Sequence, residues 1–170
     1  MLVSNSRPEL RTVTPLPPNY RGVEDVRDAG TKGRYVNQGY SQTTAGDETL
    51  ESEGFVQCSA LVLQETGARR TYMAHIIKHG LTEDQSADFV QLPPGDYTAN
   101  VFTGRCSHEN GSSLQPVLNE IIREKQLGVR IQMQPDTKVD SDRFSVSFNP
   151  VERSVKLVKR ENREVIKVSL

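Results

Sequence analysis

The sequence predicts an α+β protein with antiparallel-rich, sandwich-like sheets and one main helix packed on a sheet face. Three observations carry this. Short apolar runs rich in Val, Ile, Phe and Tyr recur from Gly54 to the C-terminus, turn-forming residues punctuate them, and a single long stretch has helical rather than alternating periodicity. Runs of strands with one good helix make an α+β arrangement in which the helix covers a sheet face.

The elements follow in order. Strands are expected over 55–64 and 70–77, with Thr66-Gly67 as the turn between them, and over 97–102 after the Pro93-Pro94-Gly95-Asp96 turn. The 78–96 connection is polar, and Thr82-Glu83-Asp84-Gln85 resembles a single capped turn. A helix is expected from an N-cap at Ser112 or Ser113, with Pro116 in its first turn and an apolar stripe of Val117, Leu118, Ile121 and Ile122, to a stop at Gly128. Strands then recur over 129–133, 143–148, 154–160 and 164–170, the last three joined by hairpin-length loops.

Residues 1–51 differ in kind. Pro8, Pro15, Pro17 and Pro18, five glycines and many Ser, Thr and Asn leave no apolar period there, so the segment reads as an extension with few elements of its own, or as an arm laid along the domain spanning 52–170. The 170 residues are one domain's worth of chain. Twenty-one basic against twenty-two acidic side chains give a net charge of −1, which removes the positive field that draws nucleic acid. No apolar run is long enough for a membrane helix and no secretory signal opens the chain, so a cytoplasmic protein is expected.

Two cysteines, Cys58 and Cys106, are too few for a disulfide scaffold and are read as free thiols. The histidines stand at 75, 79 and 108, so Cys/His chemistry can be enumerated. A two-residue turn at Thr66-Gly67 pairs residues whose numbers sum to 133, which sets Cys58 opposite His75 on one sheet face. At that range an imidazole can take the thiol proton and leave a nucleophilic thiolate. In that register Ala60, Val62, Thr71 and Met73 share the face of Cys58, while Leu61, Leu63 and Tyr72 take the other, so both faces look covered. The plainer alternative is that Cys58 is a small buried hydrophobe and His75 a satisfied core histidine. A zinc site of Cys58, His75 and His79 would require a helix over 75–79, against the strand expected there, and Cys106-Ser107-His108 in a Gly-bearing loop is a weaker pattern still. Neither a metal nor a cofactor is expected.

At these residues the chain resembles the chemoreceptor glutamine deamidases, the CheD family. Met73-Ala74-His75 is similar to the family's second motif, and Val101-Phe102-Thr103-Gly104, the helix over 114–127 with Gly128-Val129-Arg130-Ile131, and the 143–158 hairpin extend the resemblance over roughly residues 52–170. The resemblance implies a cysteine-dependent protein-glutamine deamidase in which Cys58 is the nucleophile, His75 the general base and Ser52 the third polar residue, six positions before the cysteine. Gly54 and Gln57 fall in the loop leading to the nucleophile and the oxyanion pocket, where Val56-Gln57-Cys58 replaces the family's Gly-Ser-Cys. The 78–96 segment lacks the family's inserted long helix, and residues 1–51 have no counterpart. Similar Cys/His cores occur in bacterial toxins and injected effectors, which a polar leader would suit, so a host cell is a second expected location and chemotaxis is not implied. The expected partner is a protein bearing the target glutamine. Two other readings stay open: a degenerate binding module without chemistry, and another thiol acyl transfer such as peptide hydrolysis or transglutamination.

Overall fold

The computed structural model describes residues 11–15, 23–27, 30–78 and 80–170. Its strands, in chain order, are β1 (Arg11–Pro15), β2 (Gly33–Tyr35), β3 (Ser41–Thr44), β4 (Thr49–Phe55), β5 (Ser59–Glu65) and β6 (Thr71–Ile76). Helix α1 (Glu83–Phe89) comes next, then β7 (Gly95–Thr103), α2 (Gly111–Glu124), β8 (Val129–Met133), β9 (Thr137–Lys138), β10 (Phe144–Asn149), β11 (Ser154–Lys159) and β12 (Glu164–Ser169). A short 3₁₀ turn covers Val23–Val26.

The strands make two mostly antiparallel sheets, ordered β1-β12-β11-β10-β4-β2 and β3-β6-β5-β7-β8, with β9 added beside β7. The fold class is thus the one expected. Between the sheets lies a core of Leu50, Phe55, Ala60, Val62, Met73, Phe102, Phe144, Val146, Phe148 and their neighbours. The helices cover the other face of the second sheet, where Phe89, Leu114 and Leu118 pack on Leu61, Leu63, Tyr72, Ala74, Ile76 and Val101. This is why β5 and β6 lack a polar alternation: every residue of β6 is buried, because a core lies on each side of it.

The helices differ in detail from expectation. Asn110, not Ser112 or Ser113, caps α2: its side chain accepts from Ser113 N at 3.0 Å while Ser113 Oγ accepts from Asn110 N at 2.9 Å. This reciprocal box starts the helix earlier, so Pro116 sits beyond its first turn. The helix ends at Glu124, before Gly128, with Gln126 at φ 51° just past the end. Gly128 answers to packing instead, since a Cβ there would lie 2.9 Å from Pro94 Cβ. The Thr82 pattern opens a full two-turn helix, α1, whose buried Gln85 completes the capping box.

The expected boundary near Ser52 falls inside β4. Residues that composition assigned to an extension, or to an arm laid along the domain, form β2, beside β4, and β3, beside β6, while Val36 is wholly buried in the inter-sheet core. Composition misses this because strands of three and four residues with exposed polar positions need little apolar sequence when a formed sheet receives them. The calls on the first ten residues and on 16–22 lie outside the described residues.

Candidate functional site

His75 and Ser52 come from opposite sheets and meet at 2.8 Å, Ser52 Oγ to His75 Nδ1. A β-bulge makes this possible. Phe144 pairs with Phe55 and Val146 with Ser52, so Glu53 and Gly54 together oppose the single Ser145. Gly54 has φ 77°, the left-handed conformation that such a bulge places on glycine. With the extra residue absorbed, Ser52 and Phe55 both turn into the inter-sheet core, whereas an unbroken strand would send them to opposite faces. Phe55 then stacks on the imidazole, ring centroids 3.9 Å apart and planes 15° from parallel. Gly54, expected in the loop before the nucleophile, is the pivot of this bulge.

The hydroxyl has one proton, and Ser52 Oγ lies 2.6 Å from the carbonyl of Val36, which can only accept. Ser52 therefore donates to Val36 and accepts from Nδ1–H. That fixes the neutral tautomer: Nδ1 carries the proton and Nε2 the lone pair. Nε2 is buried and has no hydrogen-bond partner. The backbone of His75 is clamped as well, His75 N donating to Tyr40 O at 3.1 Å, and His75 O accepting from Gly39 N at 3.1 Å and from Gln85 Nε2 at 2.8 Å.

The strand register corrects the expected pairing. β5 and β6 pair with Ala60 opposite His75 and Gln64 opposite Thr71, sums of 135, and residues 66–69 form a four-residue loop. Cys58 lies just before β5, diagonal to His75 rather than opposite it. The shift is by two, so it preserves the face: Cys58 joins Ala60, Val62 and Met73 in the inter-sheet core. Contacts from outside the hairpin hold the wider loop. Arg153 donates to Ala68 O and to Glu65 O, both at 3.1 Å, and Thr66 N donates to Asp96 O at 2.8 Å.

Cys58 sits where the chain crosses from β4 in one sheet to β5 in the other. It is 6 % exposed, with Val56 and Gln57 exposed beside it. The 104–110 loop buttresses this crossing: Ser107 Oγ donates to Cys58 O at 2.8 Å, His108 N to Gln57 O at 3.0 Å, and Ser59 Oγ to Glu109 O. Ser107 also lines a cleft of about 380 Å³ with Gly104, Asn110, Asp136 and Lys138. Gln38, in the turn preceding β3, points its Nε2 at Cys58 Sγ, 3.7 Å away.

Burial decides the charge state. It pushes the Cys58 thiol up and the His75 imidazole down to about 4, so both groups rest neutral near pH 7. The ion pair that direct opposition implied is not the resting state, and thiol and imidazole share no hydrogen bond. The imidazole shift has a consequence for stability. The unfolded histidine titrates near 6.5, so the unfolded state binds the extra proton between about pH 6.5 and 4. Stability from this group is complete above pH 6.5 and falls through that window, by about 3 kcal/mol in all. Denaturant titrations should show this fall in the wild type and lose most of it in His75→Gln.

The other residues singled out are placed as follows. His75 lies in a strand, so the helical 75–79 spacing needed for zinc is absent, and His79 lies outside the described residues. Among the described residues no three His, Cys, Asp or Glu side chains gather as metal ligands. Cys106 is an exposed free thiol. Phe55, Gln38 and Ser107 went unread in the sequence, and only Gly54, a glycine inside a strand pattern, signalled the bulge. No helix is long and apolar enough to cross a membrane among the described residues. Compared with protein-family models and with curated proteins, the chain matches none.

Proposed function

We infer that this chain is a cysteine-dependent protein-glutamine deamidase, with Cys58 as nucleophile, His75 as base and Ser52 as the residue that orients the imidazole. The observation that carries the reading is the chain Val36 O, Ser52 Oγ, His75 Nδ1, which leaves an unpartnered Nε2 lone pair on the sheet face that Cys58 shares. A thiol and a base oriented by a third group form the constellation that nucleophilic catalysis requires.

In this reaction the thiol proton passes to Nε2 as Sγ bonds to the side-chain carboxamide carbon of a substrate glutamine. The resting pair is neutral, so transfer accompanies attack rather than preceding it. The tetrahedral oxyanion collapses, the C–N bond breaks, and Nε2–H delivers its proton to the departing ammonia. Water, deprotonated by Nε2, then hydrolyses the thioester to a glutamate side chain and the free thiol. A protein substrate fits a nucleophile set in a surface crossing with exposed Val56 and Gln57 around it. Such a substrate could belong to the producing cell or, for an injected effector, to a host.

A second reading draws on the same shifts. A thiol raised by burial and an imidazole lowered by it also suit a binding module on this fold that performs no chemistry. Turnover separates the two. Ammonia release from a panel of glutamine-bearing peptides, with the mass gained on exchanging NH₂ for OH, supports deamidation, and peptide cleavage or amine incorporation points to another thiol acyl transfer. Absence of every product with folded protein leaves the binding module. Ser52→Ala refines the test, because the imidazole is then free to take the other tautomer: kcat should fall about tenfold to a hundredfold with KM little changed, and stability by about 1–3 kcal/mol for the unpaired Nδ1–H.

A further inference from the structure

We propose that Gln38 is a catalytic residue of this site, its side-chain amide being the donor that stabilises negative charge on Cys58 sulfur and on the oxyanion formed beside it. The proposal rests on the thiol chemistry inferred above and adds a residue from the segment that the sequence left without a role.

The geometry is specific. Nε2 of Gln38 is 3.7 Å from Cys58 Sγ, within range for an N–H donor to sulfur, and no other side chain of the described residues donates to that thiol. The oxygen of a tetrahedral intermediate bonded to Sγ lies next to that sulfur, so a donor already aimed at Sγ is aimed at the region where charge develops. The turn carrying Gln38 is held at several points. Tyr40 N donates to Asn37 O at 2.9 Å, Gly39 N to His75 O at 3.1 Å, and Thr82 Oγ1 to Gly39 O at 2.7 Å. Gly39, at φ 81°, adopts the left-handed conformation that lets this turn close against β6. The same residue that docks the turn on His75 thus sets Gln38 over Cys58, tying donor, nucleophile and base into one frame. The surroundings of the sulfur call for such a donor. Burial opposes a charged sulfur, and Val56-Gln57 occupies the loop before the nucleophile.

The test uses the full chain carrying Cys106→Ser, which leaves Cys58 as its one thiol. Alkylation of Cys58 by iodoacetamide is followed as a function of pH in this background and with Gln38→Ala, Gln38→Asn and Gln38→Glu added. Losing the donor should move the alkylation profile of Gln38→Ala to higher pH, and Gln38→Glu, which sets a carboxylate beside the sulfur, should move it further. An unchanged Gln38→Ala profile overturns the proposal, whatever the turnover. On a glutamine-bearing peptide, kcat of Gln38→Ala should fall about 10²- to 10³-fold with KM nearly constant, and a kcat within threefold of wild type overturns the oxyanion role. Gln38→Asn, one methylene short, should recover little. A shifted profile in a protein that releases no ammonia from any peptide would sink the deamidase reading while leaving Gln38 as the thiolate donor, so the two failures are distinguishable. Thermal melts confirm that each variant is folded.

Discussion

Cys58→Ser and His75→Gln should each lower kcat/KM for a glutamine-bearing substrate by about 10⁴-fold or more, because nucleophile and base act as one unit and either loss removes the covalent route. The choice of variants follows from the site. Serine keeps nearly the volume of cysteine at the sheet crossing, so Cys58→Ser should melt within about 1–2 kcal/mol of wild type. His75→Ala is a poor probe, since the imidazole is 1 % exposed, stacked on Phe55 and bonded to Ser52, and its removal would open a void in the core. Glutamine fills much of the space, yet provides no titrating base. The double variant should be no slower than the worse single one. Substantial turnover by either folded variant in assays of ammonia release would remove the pair from the mechanism.

Starting the chain at Asp47 should abolish cooperative folding, the reverse of what composition alone suggests. The truncation deletes β2 and β3, takes the wholly buried Val36 out of the core, and removes the carbonyl to which Ser52 donates. It also strips one edge of β6, a strand buried along its whole length, leaving an apolar edge open to other chains. Gln85 Nε2, which now bonds Tyr40 O and His75 O, would keep only the second partner. Burial of one Val contributes about 1.5–3 kcal/mol and each lost hydrogen bond about 1 kcal/mol. With several such bonds gone the sum reaches most of a domain's total stability of about 5–15 kcal/mol. The expected result is aggregation or a melt without a sharp transition. A soluble, cooperatively melting fragment with an alkylatable Cys58 would show that the strands before Asp47 are dispensable.

The sequence by itself determined the fold class, the position of nearly every strand from 55 onward, the main helix, and the membership of Cys58 and His75 in one sheet face. These properties are local. Alternation, turn residues and period-2 parity are written into consecutive side chains, and a register error of two residues leaves parity intact. Ser52 was legible only through a family resemblance, and its contact with Nδ1 depends on the bulge at Gly54, of which the glycine is the one trace in sequence. What tertiary structure decided is what depends on partners distant in the chain. The β5–β6 loop is four residues long because Arg153 and Asp96, from other hairpins, bind its backbone. The strands before Ser52 form because sheet edges are there to receive them, and Gln38 reaches Cys58 because Gly39 docks on His75. The neutral resting pair is decided by the same means: solvation of a thiol and an imidazole is fixed by what surrounds them in space, and here that is Phe55 from the facing sheet and the core beneath it.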